Sequence, residues 1–189
     1  DPSDSEVSSL VSRYHGLHRD YQVLNEGVQT VNAIVADAKQ DSWSKIDKLQ
    51  EENPSLYAGP LSSEDRYERQ QAFVEKSNAA LKSIRTEVGS SQLADRLSSL
   101  SSGLSDVVAH ERALSSEIER LEKQGSIGAD SLKTDLTGLV SAVRDVQSQL
   151  RTATAAHGLL LERVARLEGA TVQAGKDAAS AFKVLNEQR

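Results

Sequence analysis

The sequence predicts an all-α protein, an elongated antiparallel helical bundle or coiled coil of about four long helices. Three observations carry that prediction. Apolar residues recur in alternating steps of three and four along almost the whole chain, which is one stripe of a helix. Two of the three prolines fall within residues 53–61, and the other breaks lie at Gly89-Ser90-Ser91 and between Gly125 and Gly128, so breaks are few. Hydrophobic residues make up 38% of the 189 positions but aromatics only 4%, with a mean hydropathy of −0.47. That is enough apolar material for thin cores and too little for a thick globule, since large aromatics carry most of a compact core.

The first helix is expected over residues 4–52. Val7, Leu10, Tyr14, Leu17, Tyr21, Leu24, Val28, Val31, Val35 and Ala38 fall on one stripe, as a coiled-coil seam requires. Gly16 and Gly27 lie off it, each at a cost of about 1 kcal/mol in helix propensity. After Asp41 the stripe resumes out of register at Trp43, Ile46 and Leu49, which points to a kink or a change of packing partner. Asn53-Pro54 then reads as a firm break, because the residue before a proline is pushed out of the helical region. Residues 53–61 form a turn or loop.

Ser62, followed by Asp65, opens a second helix over 63–88 in the manner of a capping box. Its stripe is Tyr67, Val74, Leu81, Ile84 and Val88, with Phe73 widening it and Gln70 and Ser77 as polar interruptions. Gly89-Ser90-Ser91 ends this helix and caps the next.

The third helix, 91–124, carries Leu93, Leu97, Leu100, Leu104, Val107, Leu114, Ile118 and Leu121, with Glu111 in the one seam position left. A charge there costs stability, so the expectation is a widened bundle with Glu111 in solvent. Ser98, Ser99, Ser101 and Ser102 read as a solvated face.

Gly125 and Gly128 break the chain, and Asp130 or Ser131 is the expected cap of a last helix over 130–187. Its seam runs from Leu132 to Leu185 and includes His157. Roughly seven heptads at about 1.5 Å per residue span on the order of 80 Å. The seam thins at Thr171, Ala174, Ala178 and Ala181. The whole of 1–189 reads as a single elongated helical module, and the start at Asp1 without methionine suggests a segment of something larger.

The same residues bound the function. Without cysteine there is no disulfide framework, thiolate metal site or cysteine nucleophile. The net charge of −6 argues against a surface built to neutralise phosphates. No stretch reaches the roughly 18 apolar residues of a membrane span. Glycine-rich phosphate loops are missing. His15 and His18 share one helix face, but no further ligand completes a metal set, and His110 and His157 lie far away in sequence. The carboxylate pairs Glu51-Glu52 and Glu64-Asp65 flank helix ends, where they complement the dipole. No nucleophile, base and orienting group can be named, so no catalytic residue, metal or cofactor is expected and an enzyme is disfavoured. Arg144, Arg151, Arg163 and Arg166 alternate with Asp145, Glu162 and Glu168, a mixed charged surface with no nucleic-acid stripe. Tyr14 to Leu17 and Tyr21 to Leu24 look like tyrosine-based sorting signals, but both sit on the helical stripe and are not free to bind in extended form.

The order of elements carries a resemblance. Leu24-Asn25-Glu26 precedes a charged continuation to Lys48-Leu49; Asn53-Pro54-Ser55-Leu56 and Pro60-Leu61 follow, then a helix that begins with acids. Leu97, Leu100, Leu104 and Val107 lead into Glu111-Arg112 and Leu114. Over residues 10–122 this is similar to the central V-shaped domain of the ALIX family of endosomal-sorting adaptors. It departs from the family in being short, with a brief Val88–Leu93 connection. The resemblance implies a non-enzymatic, ESCRT-associated adaptor in membrane traffic, cytoplasmic and at endosomes. It also implies binding of short Tyr-Pro-type peptides, and of ubiquitin through the helical trunk. Its peptide-binding role would fall on Phe182, with Leu185 one turn on, although the flanking Ala178-Ala179-Ser180 does not match the family. The residues themselves leave a second reading open: a spectrin-like repeat or coiled-coil tether in a cytoskeletal, kinetochore or vesicle-tethering assembly. Trp43 in the first helix suits it. Packing within one chain and packing in a homodimer both remain open.

Overall fold

The computed structural model describes the backbone of residues 2–88 and 90–189 and the side chains of residues 4–86 and 92–189. It contains four helices, α1 (Pro2–Ser55), α2 (Ser63–Val88), α3 (Ser90–Lys123) and α4 (Ala129–Gln188), and no strand among the described residues. No helix among them is long and apolar enough to cross a membrane. The Gly89-Ser90-Ser91 break-and-cap and the Val88 seam position fall outside the described side chains.

The helices form two compact units. The first comprises residues 1–32 and 92–154, so it takes the start of α1, nearly all of α3 and the first part of α4. α3 runs antiparallel to α1: Glu6 pairs with Arg120 at 3.6 Å, and Arg13 pairs with Glu117. α4 runs parallel to α1, with Gly128 beside Val7 and Gln149 accepting from the Gln29 amide. Leu10, Leu17, Val28 and Val31 of α1 meet Leu97, Leu104, Val107, Leu114 and Ile118 of α3 and the Leu132-to-Leu150 seam of α4 in one buried core.

In this unit Gly27 has a packing role that its place off the stripe concealed. A Cβ built on Gly27 would lie 2.7 Å from Leu100 Cδ2, and one on Gly103 would lie 2.7 Å from Leu24 Cδ2. Each helix thus seats a leucine in the hollow of the other's glycine. Gly16 has nothing within 4 Å of the same position. Gly16→Ala is therefore expected to stabilise by about 0.5–1 kcal/mol through helix propensity alone. Gly27→Ala has the same propensity gain but displaces Leu100, and a net loss of about 1 kcal/mol is expected. Paired urea midpoints check the contrast.

The second unit comprises residues 33–91 and 155–189. α2 runs antiparallel to α1, with Lys76 at 3.8 Å from Glu52, and antiparallel to α4, with Arg85 at 2.6 Å from Glu168. α1 and α4 are again parallel: Asp47 pairs with Arg163 at 2.5 Å, and the Tyr57 hydroxyl donates to Asp177 Oδ2 at 2.8 Å. These exposed ion pairs contribute little stability each, and their value is in marking register. The buried positions are Val35, Ala38, Ser42, Ile46, Leu49 and Leu56 from α1 and its turn. α2 adds Gln70, Phe73, Ser77, Ala80, Leu81 and Ile84, and α4 adds His157, Leu160, Leu167, Thr171, Ala174, Ala178 and Ala181.

Several expectations are corrected here. The α1 seam does not shift to Trp43, because Ser42 occupies the position after Ala38 and is 1% exposed. Trp43 flanks the core half-buried, with the Arg163 guanidinium 4.5 Å and the Lys39 ammonium 5.5 Å from its ring. α2 is likewise centred on Phe73 with Gln70 and Ser77 inside, while Tyr67 and Val74 lie at the margin. α1 does not end before Pro54 but continues to Ser55. A proline in a last turn withholds one N–H, and the chain unwinds through three-residue bonds from Leu56 to Asn53, Tyr57 to Pro54 and Ala58 to Ser55.

The helix ends follow local chemistry. Ser62 Oγ accepts from the Asp65 amide at 3.1 Å and caps α2, whose first turn carries Glu64 and Asp65. α3 ends in a Schellman motif: Ser126 N donates to Leu121 O and Gly125 N to Glu122 O, with Gly125 at φ +74°. The cap of α4 is neither Asp130 nor Ser131. Gly128, at φ +95°, supplies the first accepting carbonyl to Leu132 N, and this lets Ala129 enter the core at 1% exposed.

Candidate peptide-binding cleft

Among the described residues, most of the buried polar groups that lack a partner lie in the second unit: Trp43 Nε1, Gln70 Oε1, Ser77 Oγ and His157 Nε2. Gln70 is set apart from the others because it also lines a cleft. That cleft, about 460 Å³, lies at the α1–α2 turn and is bounded by Tyr57, Ser63, Arg66, Gln70, Asp177, Ser180, Ala181 and Val184. Three segments build it. The Pro54 unwinding delivers Tyr57, the first two turns of α2 deliver Ser63, Arg66 and Gln70, and the small-residue end of α4 leaves the space.

The lining combines a cation, a carboxylate, hydroxyls, a buried primary amide and apolar walls. Gln70 is 2% exposed, yet its side-chain oxygen has no protein partner, a condition that costs about 1–3 kcal/mol when nothing fills it. Burial, together with the hydrogen bond to Asp177 and the negative charge of that carboxylate, pushes the Tyr57 phenol up to about 12. One tyrosine is therefore expected to titrate near 12 in an ultraviolet pH titration, and Asp177→Asn to bring it back toward the ordinary 10.0.

The two residues expected to bind a peptide flank the cleft and do not line it. Phe182 is 47% exposed with its ring centroid 5.4 Å from that of Tyr67 and the two rings tilted by 41°, and Leu185 is half-buried. The cleft residues themselves are scattered over 57–184 in sequence, and only the polar interruption at Gln70 gave a signal for any of them.

Other residues singled out by the sequence lie elsewhere. Tyr14, His18 and Tyr21 form a ladder of rings 6.1 and 6.0 Å apart within α1, beside Asp135 and Gly138 in a groove of about 260 Å³. Both tyrosines are held in the helix. Among the described residues, no group of three or more acidic or histidine side chains could hold a metal ion. Glu111 is not in solvent but 3% exposed, with Oε1 unpaired; burial raises its carboxyl above the ordinary value, and the Arg144 charge lowers it in part. His157 is 5% exposed, and burial pushes its imidazole below 6.5. The unfolded chain therefore takes up a proton that the folded one resists, so stability should fall as pH drops through 6.5. His157→Leu should flatten that part of a urea-midpoint profile. Comparison of the chain with protein-family models, with curated proteins and with solved structures finds no match.

Proposed function

We propose that the chain is a non-enzymatic helical adaptor that holds a short extended segment of a partner protein in the cleft at the α1–α2 turn. The observation that carries this reading is the Gln70 side-chain oxygen, buried in the cleft wall without a protein partner. A peptide backbone offers the matching donors and acceptors, Arg66 and Asp177 can address side chains or termini, and Ala181 and Val184 supply an apolar wall. Phe182 and Tyr67, at the edge, are suited to an aromatic or proline residue of the ligand. The resemblance of residues 10–122 to the ALIX-family domain adds the setting: ESCRT-associated sorting at endosomes from the cytoplasm, Tyr-Pro-type peptides, and ubiquitin on the helical trunk.

Amide NMR during titration with a Tyr-Pro-x-Leu peptide, and separately with ubiquitin, tests the reading. Peptide-induced shifts at Tyr57, Gln70 and Phe182, lost in Gln70→Leu, are expected. Silence of every resonance at millimolar peptide would remove the adaptor role.

The structural-tether reading draws on a different observation. In each unit the first and last helices are parallel and the middle one antiparallel, the up–down–up order of a spectrin-like repeat, with Trp43 in the first helix. An obligate dimer that unfolds on dilution, seen by sedimentation and circular dichroism, would favour the tether.

A further inference from the structure

The groove between α3 and α4 in the first unit encloses about 540 Å³ and carries a different chemistry from the cleft. Ile118, Leu136 and Val140 form its apolar floor, and Ser115, Ser141 and Arg144 stand along its walls. Neither serine hydroxyl makes a hydrogen bond within the chain among the described residues.

The register of the two helices brings a second arginine to the same place. α3 and α4 are antiparallel, and near their connection Lys133 Nζ donates to Glu122 Oε2 at 3.1 Å. Counting away from that pair, and to within one residue, Ser141 comes opposite Ser115 and Arg144 opposite Arg112. Each helix sets an arginine three residues from a serine, and the antiparallel pairing puts arginine across from arginine and serine across from serine. Arg144 also acts electrostatically on Glu111, the chain neighbour of Arg112. Arg151 lies two turns beyond Arg144 on the same face of α4.

No acid lies three or four residues to either side of Arg112, Arg144 or Arg151, so none of them has a partner along its own helix. All three are exposed, and none is in an ion pair among the described residues. The acids closest in sequence are placed elsewhere. Asp145 belongs to the α1 side of α4, where Gln149, one turn on, accepts from Gln29. Glu119 and Glu122 act on Lys133 at the turn end of the groove, and Glu111 is buried in the core below.

Like charges held opposite each other beside unused hydroxyls make a site for an anion. We infer that the Arg112–Ser115 and Ser141–Arg144 pairs bind a phosphate group carried on a segment of a partner protein, with an apolar side chain of that segment on the groove floor. A phosphate monoester brings three strong acceptor oxygens and about −1.5 to −2 charges, where a carboxylate brings two oxygens and a single charge. Two forked guanidinium groups and two hydroxyls offer more donors than one carboxylate accepts. A long polyanion suits the chain less, because its net charge is −6. The site shares no residue with the cleft of the second unit, and it stands whether or not that cleft holds a peptide.

The experiment is amide and arginine side-chain NMR of the full chain, titrated with inorganic phosphate and with a leucine-flanked phosphoserine peptide. Both probes are expected to shift Arg112, Ser115, Ser141 and Arg144, and the peptide to bind more tightly. Arg112→Gln and Arg144→Gln should each weaken peptide binding at least about tenfold. Arg19→Gln, the same charge change on the exposed surface of α1, should leave binding within about twofold. Neither groove arginine is in an ion pair, so the urea midpoints of both variants should match the wild type, which separates a lost site from a misfolded chain. Silence of these residues at millimolar phosphate and millimolar peptide overturns the inference. So does binding of inorganic phosphate without the peptide, equal binding of the unphosphorylated peptide, or an equal loss in Arg19→Gln. Preference of the same arginines for anionic phospholipid vesicles or a single-stranded oligonucleotide over the peptide overturns it as well.

Discussion

Phe73→Ala is expected to cost about 3–5 kcal/mol, the largest loss of any single truncation in the second unit. Phe73 is 2% exposed and is the bulkiest of the fully buried side chains among the described residues. The core of that unit also buries many short residues, Ala38, Ser42, Ala80, Thr171, Ala174, Ala178 and Ala181, beside its larger aliphatic ones. Short side chains have no rotamer with which to reach into a cavity, so they do little to fill the space left by the ring. Phe73→Leu keeps most of the volume and should cost less than about 1.5 kcal/mol. Trp43 is the chain's single tryptophan and belongs to the same unit, so urea unfolding followed by its fluorescence reads the loss where it occurs. A midpoint for Phe73→Ala within error of the wild type would show that this core is not organised around the ring.

Glu111→Leu is expected to move stability the other way, by about 1–4 kcal/mol at neutral pH. The position lies in the α3 seam between Val107 and Leu114, both buried, and leucine completes the apolar stripe. At neutral pH the folded wild type either holds an ionised carboxylate out of water or takes up a proton to avoid doing so. Its carboxyl is raised above the ordinary 4.5 in the folded chain, so the folded state binds more protons than the unfolded one between those two values. The wild type therefore loses this contribution as pH rises through the raised value, and has it in full below 4.5. The advantage of Glu111→Leu should accordingly be greatest at neutral pH and shrink toward pH 4.5. Glu111→Gln, a neutral amide of similar shape, should recover part of the gain and lose the pH dependence. Differences in urea midpoint between variant and wild type across that range isolate the effect from other carboxylates.

The sequence made the helices legible because a heptad stripe repeats many times, so single exceptions do not erase it. The helix ends were readable to within a few residues, since glycine, proline and serine act locally. Partner choice was not readable in the same way. Nothing in a stripe states that α1 and α4 run parallel, or that α1 passes from the company of α3 to that of α2 near residue 32. Polarity misled at single positions: Ser42 and Glu111 lie inside, while the larger and more apolar Trp43 lies at the margin. Size and register outweighed hydrophobicity there, which a one-dimensional pattern does not weigh. The cleft was the least legible feature, since Tyr57, Gln70 and Asp177 meet only through the turn after Pro54 and the register of α2 against α4.

The leucine–glycine lock between α1 and α3 has a consequence for the uniqueness of the first unit's fold. A seam of similar aliphatic side chains is periodic, so a slip of seven residues restores nearly the same contacts and is penalised weakly. Gly27 and Gly103 are not periodic; each occurs once on its helix at a spot where a leucine of the neighbour must land. They work as an alignment mark on an otherwise repeating ruler. A chain with both glycines changed to alanine could keep its helix content and much of its stability and still lose the single register. Heterogeneous amide resonances at unchanged helicity would be the sign of it.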